Sequence, residues 1–295
     1  PYDVSVIPRA PTPVPGMANN GFWVADMGGN RLVKLNYEDE VTAVTNDDIV
    51  VSPHAVSAAW DGSCWAIDWG RESVVKIDAD GKLVARSISC STGILADGSL
   101  CIIHPAALDC GGDPDSCFVA DYEGNAVYKV TLEQNSIKLI RSSAEYFRPS
   151  ALNVVTTGNE TTIWVADRKS LVSAPVPGTW TPVVIPTGTP RPPPGQRFTP
   201  VPPEANPEKH RISRNIFGEG TVQQWSASAP MNVSAIDSSS CWVADRDAGS
   251  YMINEIRRYG PEGQLSVKGN AYHSISMPVD VENVPPQSSQ GGASE

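Results

Sequence analysis

The sequence predicts an all-β protein, a β-propeller built from four-stranded antiparallel blades. Three observations carry that reading. A four-residue signature recurs five times, a proline opens an alternating segment upstream of each copy, and further alternating segments follow after polar turns. Period-two alternation broken by short turns describes a meander of antiparallel strands. A lone meander cannot bury both of its faces. Repeating it around an axis lets each sheet bury its neighbours. No stretch sustains the i, i+3, i+4, i+7 spacing of an amphipathic helix. Two consecutive sandwiches, the rival all-β arrangement, give no reason for five signatures in phase.

The signature is an aromatic, two small apolar residues and Asp. It reads Trp23-Val-Ala-Asp26, Trp65-Ala-Ile-Asp68, Phe118-Val-Ala-Asp121, Trp164-Val-Ala-Asp167 and Trp242-Val-Ala-Asp245. The Asp residues fall 42, 53, 46 and 78 apart, and the long last interval holds a Pro-rich insertion. The opening segments are Pro1-Tyr-Asp-Val-Ser-Val, Pro53-His-Ala-Val-Ser-Ala, Pro105-Ala-Ala-Leu-Asp-Cys, Pro149-Ser-Ala-Leu-Asn-Val and Pro230-Met-Asn-Val-Ser-Ala. Repeats therefore start at 1, 53, 105, 149 and 230. Proline suits a first strand residue because the ladder does not need its missing N–H there. Third strands follow at Arg31–Leu35, Ser73–Ile77, Ala126–Val130 and from Asn254 to Tyr259. Turns such as Asp80-Gly81 and Pro261-Glu262-Gly263 lead into a fourth, as in Leu83–Ile88 and Ile137–Ile140. The propeller is placed over 1–284, with 285–295 as a flexible tail. Five blades are counted, or six if the 187–229 insertion and the terminal strand contribute one.

The run Trp-Val-Ala-Asp, polar turn, Asn, Val, Lys, apolar residue and Asp-Gly resembles the NHL-repeat group of β-propellers, most closely over Gly21–Leu35. The resemblance spans about residues 1–175 and 225–285. It fades in repeat four, where Lys169-Ser-Leu-Val-Ser-Ala-Pro175 stands in place of the third strand. It implies architecture and leaves activity open, because such propellers include binding scaffolds, hydrolases and lyases.

Asp26, Asp68, Asp121, Asp167 and Asp245 end a strand where the chain turns, so each is read as a structural cap on the N–H groups of its turn. A metal-binding carboxylate ring is the rejected alternative; no metal site and no cofactor are expected. Of the six cysteines, Cys64, Cys117 and Cys241 share one repeat position and lie too far apart to pair. Cys110 falls across the first hairpin from Cys117, which predicts a Cys110–Cys117 disulfide, with Cys90–Cys101 the next candidate. Cys64 and Cys241 are then buried thiols. His54 and His104 flank the opening prolines of repeats two and three, and Arg148 precedes that of repeat four. These three are the candidate ligand contacts at the channel entrance. No His-Glu-x-x-His, Gly-x-Ser-x-Gly, P-loop or EF-hand spacing occurs. The Glu and Asn ligand set of calcium-dependent lactonase propellers is not identified either.

The chain has 295 residues, 22 basic against 33 acidic, for a net charge of −11. That balance argues against nucleic acid and anionic lipid. Lys209, His210, Arg211 and Arg214 form the one basic cluster and are read as a solvated edge. No apolar run is long enough to span a bilayer. The start at Pro1, the cysteines and the Thr/Pro content predict a processed, secreted protein. The Pro-rich insertion, about 186–208, favours an extended arm. It offers Thr187, Thr189 and Thr199 as O-glycosylation candidates, while Asn159 and Asn232 head sequons. Residues Arg211–Ser226 are expected to return as a hairpin into repeat four. Pro278-Val-Asp-Val-Glu-Asn-Val284 repeats the opening pattern with no signature after it. Such an orphan strand either closes the chain's own propeller or adds to another subunit. The expected function is a non-enzymatic extracellular scaffold with protein partners, self included, able to assemble through strand 278–284 and the Pro-rich arm. The alternatives are a lactonase- or lyase-type enzyme using the channel face with a divalent metal, and a carbohydrate-binding propeller using Trp69 and Trp180.

Overall fold

A computed structural model describes residues 2–8, 21–46, 48–167, 210–227, 230–246, 254–261 and 263–265. These form five four-stranded antiparallel sheets, each a blade. Blade 1 comprises β1 (Asp3–Val6), β2 (Phe22–Asp26), β3 (Arg31–Leu35) and β4 (Val41–Val44). Blade 2 comprises β5 (Pro53–Ala58), β6 (Cys64–Asp68), β7 (Ser73–Ile77) and β8 (Leu83–Arg86). Blade 3 holds β9 (Pro105–Asp109), β10 (Ser116–Asp121), β11 (Ala126–Glu133) and β12 (Ser136–Arg141). Blade 4 holds β13 (Ala151–Thr157), β14 (Glu160–Asp167), β15 (His210–Ile216) and β16 (Gly220–Ala227). Blade 5 holds β17 (Pro230–Ala235), β18 (Cys241–Arg246), β19 (Asn254–Gly260) and β20 (Gly263–Leu265). The only helical turn among the described residues is a 3₁₀ turn at Trp69–Arg71.

Strand order within each sheet follows the chain, so the first strand of each blade lies at one edge. Those first strands stand side by side: β1 against β5, β5 against β9, β9 against β13 and β13 against β17. They form the inner wall. Its chemistry repeats. At the fifth position of each opening segment a polar side chain accepts the backbone N–H at the sixth position of the next blade. Ser5 Oγ accepts from Ala58 at 3.0 Å, Ser57 Oγ from Cys110 at 3.1 Å, Asp109 Oδ2 from Val154 at 2.7 Å and Asn153 Oδ1 from Ala235 at 2.7 Å. An inner strand has no ladder partner on its axial side, so these bonds satisfy N–H groups that would otherwise be stranded in the wall.

Further out, the signature aromatic packs one blade on the next. Trp23, Trp65 and Trp164 are fully buried. Burying a tryptophan removes roughly 200 Å² from water, about 5 kcal/mol at 25 cal/mol/Å², so packing dominates here. The indole N–H contributes about 1 kcal/mol and sets the orientation. Trp23 donates to the Gly62 carbonyl at 3.0 Å, Trp65 to Pro114 at 3.2 Å and Trp164 to Asp237 at 3.3 Å, in each case in a following blade. Phe118 lacks that donor and lies edge-on to Phe217 of blade 4. Directly across from each aromatic stands a cation on the third strand: Lys34, Lys76, Lys129, Arg214 and Arg258. Lys76 Nζ lies 5.2 Å from the Trp65 ring centroid. This pairing accounts for the lysine that recurs in the third strand.

Blade 4 takes its third and fourth strands from His210–Ile216 and Gly220–Ala227, the hairpin expected over 211–226 to return into repeat four, while Lys169–Pro175 lies outside the described residues. The expected cysteine pairing is corrected. The disulfide is Cys90–Cys101, with Cα atoms 5.8 Å apart, and it staples the long connection between β8 and β9. Cys110 and Cys117 are thiols. The expected bridge fails because the Cys110 thiol turns to blade 2, donating to the Ala58 carbonyl at 3.2 Å and accepting from Ser57 Oγ at 3.2 Å. Burial pushes that thiol up to about 12 and raises Cys64, Cys117 and Cys241 as well. The insertion 186–208 with Thr187, Thr189 and Thr199, strand 278–284 and tail 285–295 all lie outside the described residues.

The capping role of the signature Asp is broader than a turn cap. Asp26 accepts from Gly29 N–H at 3.2 Å and Arg31 Nε at 2.9 Å. Asp121 accepts from Gly124 N–H at 3.1 Å but also from Ile103 and His104 N–H at 2.9 and 2.8 Å, tying down the segment that leads into its own blade. Asp68 does the same to Val51 N–H at 2.9 Å and binds Arg71 and Arg86. Asp167 pairs with Arg211, which is buried; that arginine of the expected solvated edge is a core ion pair. The Asp245 side chain lies outside the description. Gly29 and Gly124 are fixed by the same carboxylates, because a Cβ would approach Asp26 Oδ2 or Asp121 Oδ2 to 2.4 Å. Asp121→Ala is expected to cost about 3 kcal/mol, since it strands three N–H groups around a fully buried site. Asp26→Ala, at a partly exposed site, is expected to cost less than about 1 kcal/mol. Urea midpoints of the two variants check the order.

Candidate binding site at the channel mouth

The segments that open blades 2, 3 and 4 are each held by the blade before. Asn30 Oδ1 accepts the Ser52 N–H at 2.8 Å, and Asn125 Oδ1 accepts the Arg148 N–H at 2.9 Å. All four residues are left-handed, with φ of 51° and 52° in the first pair and 50° and 53° in the second. Asn tolerates that region through local hydrogen bonds. Ser52 and Arg148 do not prefer it, so the clasp holds them there. Blade 2 departs from the pattern. Glu72 (φ 49°) replaces the Asn, and its Oε1 lies 3.6 Å from His104 Nδ1.

This arrangement gathers two of the three expected ligand contacts. His54 sits at a bulge in β5 with its ring between Tyr2, centroids 4.2 Å apart, and Trp69, 4.5 Å apart. Trp69 continues to His104 at 5.9 Å, and its Nε1–H donates to His104 Nε2 at 3.1 Å. Tyr2 is 55% exposed and Trp69 37%, so two rings of the group face solvent. Arg148 belongs to a second group one blade on. Its guanidinium lies 5.5 Å from the Tyr122 ring and 5.7 Å from Phe147, with Glu123 at 3.9 Å. Phe147 is 49% exposed. The two groups join through the backbone, where Tyr122 N–H donates to the His104 carbonyl at 2.9 Å.

Sequence reasoning missed Tyr2, Glu72, Tyr122 and Phe147. One usable signal existed: the residue after the signature Asp is Trp69 in repeat two and Tyr122 in repeat three, and both lie at this site. Trp69, expected as a sugar platform, lies inside the stack, while Trp180 is outside the described residues. Of the two sequons, Asn159 is exposed in the β13–β14 hairpin, whereas Asn232 lies half-buried on inner strand β17.

The His104 Nε2 lone pair is consumed by Trp69. His54 is held below the ordinary value of 6.5, chiefly by burial and secondarily by His104. Its Nδ1 is buried without a partner among the described residues. Among those residues no three His, Cys, Asp or Glu side chains group to hold a metal ion. No described helix is long and apolar enough to cross a membrane.

No protein-family model matches the sequence, and a search of curated proteins finds no match. Solved structures do match. The chain resembles Kuenenia stuttgartiensis hydrazine synthase at a TM-score of 0.57 and 11% identity, covering 90% of this chain and 66% of that one, just under two thirds. It resembles a streptogramin B lyase structure at a TM-score of 0.54 and 12% identity, covering 92% of this chain and 70% of that one. Both are β-propeller proteins. The chain is a β-propeller. At these identities the likeness is one of fold alone.

The lowered His54 pKa gives this propeller a pH signature. The unfolded chain gains a proton near pH 6.5 that the folded ring resists, so stability present above that pH falls as pH drops below it. Urea midpoints measured from pH 7.5 to 5.5 are expected to decline in the wild type and to decline less in His54→Phe.

Proposed function

We propose that this chain is a secreted, non-enzymatic propeller of the NHL type that binds a protein partner at its channel mouth. The observation that carries the reading is the Tyr2–His54–Trp69–His104 stack, with Arg148 and Phe147 beside it. Exposed aromatic rings and Arg on a rigid support are the side chains that dominate protein interfaces. His104 spends its Nε2 lone pair on Trp69 and His54 is wedged between two rings, which suits a rigid anchor better than a general base. Secretion is supported by the Cys90–Cys101 disulfide, which persists in oxidising compartments. Self-association through the Pro-rich arm is the other part of the scaffold reading.

A lyase-type enzyme is the second reading, motivated by the fold shared with the streptogramin B lyase. One experiment separates the two. Peptides selected from a random library on the immobilised protein are expected to bind Trp69→Ala about 30-fold more weakly, a loss of about 2 kcal/mol at an aromatic anchor. Binding indifferent to Trp69, or lactonase or lyase turnover that requires a divalent metal ion, contradicts the proposal.

A further inference from the structure

Four interblade junctions share a rule, and after blade 5 three of its contacts are missing among the described residues. Among those residues β17 makes no contact with β1 comparable to those between the other first strands. Three observations describe what is missing. First, no described fifth-position side chain accepts the N–H of Val6, the counterpart of Ala58, Cys110, Val154 and Ala235. Val4 and Val6 are 46% and 45% exposed, whereas Val56 and Ala58 at the same repeat positions are 4% and 3% exposed. Second, Trp242 is half-buried and has no carbonyl partner among the described residues, unlike Trp23, Trp65 and Trp164. Third, Arg258 Nε is buried without a partner. Two of its four counterparts reach carbonyls of the following blade, Lys34 Nζ that of Ala79 at 3.3 Å and Arg214 Nε that of Ser238 at 2.6 Å.

We propose that residues 278–287 of the same chain dock here, between blades 5 and 1, as the inner strand and turn of a sixth position. Repeat arithmetic matches the need. Counted from the opening proline, the fifth residue of this segment is Glu282, a carboxylate suited to take the Val6 N–H as Asp109 takes that of Val154. The carbonyls that receive the Trp and Arg donors stand at the eighth, ninth and tenth positions in blades 2, 3 and 5 (Asp237, Ser238, Gly62, Pro114). In the terminal segment those positions are Pro285, Pro286 and Gln287. The connection also fits. Residues 266–277 make a link of 12, between the 8 residues that join β4 to β5 and the 18 that join β8 to β9.

The test is a Val6→Cys/Asn283→Cys variant of the full chain treated with a short bismaleimide. The native free thiols are buried and do not compete. A crosslink between 6 and 283 within one chain is the expected result. A crosslinked dimer shows that a second copy supplies the strand and overturns the proposal, as does no crosslink in a protein with the wild-type circular dichroism spectrum. Deleting 278–295 gives an independent reading. Val6 amide exchange is expected to accelerate at least about 100-fold, and acrylamide quenching at Trp242 to rise; unchanged exchange overturns the proposal.

Discussion

Everything in this propeller depends on how inner strands that have only one ladder partner satisfy their axial side. The solution is a relay in which a polar side chain on one blade takes an N–H from the next. Ser5, Ser57, Asp109 and Asn153 occupy one repeat position and perform one task with three different chemistries. The relay is also continuous in places: Ser57 Oγ donates to Asp109 Oδ1 at 3.1 Å, and Asn153 Nδ2 donates to Asp109 Oδ2 at 2.6 Å. Burial raises the Asp109 carboxyl, while N–H groups of Gly111 and Val154 and the Ser57 hydroxyl hold it down. Apolar packing around the tryptophans supplies most of the free energy. The relay decides where each blade sits.

The mouth inherits its rigidity from the same logic. The segment opening blade 2 is gripped twice, by Asp68 of its own blade and by the left-handed Asn30 of the blade before, while Asp121 grips the segment opening blade 3 and Asn125 the one opening blade 4. Glu72 is the exception, and it converts a backbone clasp into contact with a side chain that faces the aromatic stack. A surface fixed in this way loses little entropy when something binds it, which favours recognition over rearrangement.

Much of the architecture was legible in the sequence because repeats average over local ambiguity. Five copies placed the strands, the turns and the structural role of Asp68 and Asp121. Single events were harder. In repeat four the Lys169–Pro175 stretch breaks the pattern, and the return of the chain over 211–226 was legible only as a hairpin, without the register that sets β15 against β14. Cys110 and Cys117 face each other across a hairpin, yet pairing depends on where a thiol points, and Ser57 and Ala58 of another blade decide that. His54 and His104 were found from their place beside the prolines. Tyr2 and Glu72 were not, since a contact between blades leaves no mark in either repeat alone.

The most direct test of the relay is amide hydrogen exchange in Asn153→Ala. The account predicts that the Ala235 amide loses about 10-fold of its protection, the worth of one such bond, while those of Ala58 and Cys110 keep theirs. Unaltered protection at Ala235 would contradict it, because blade 5 would then be held in place by packing alone.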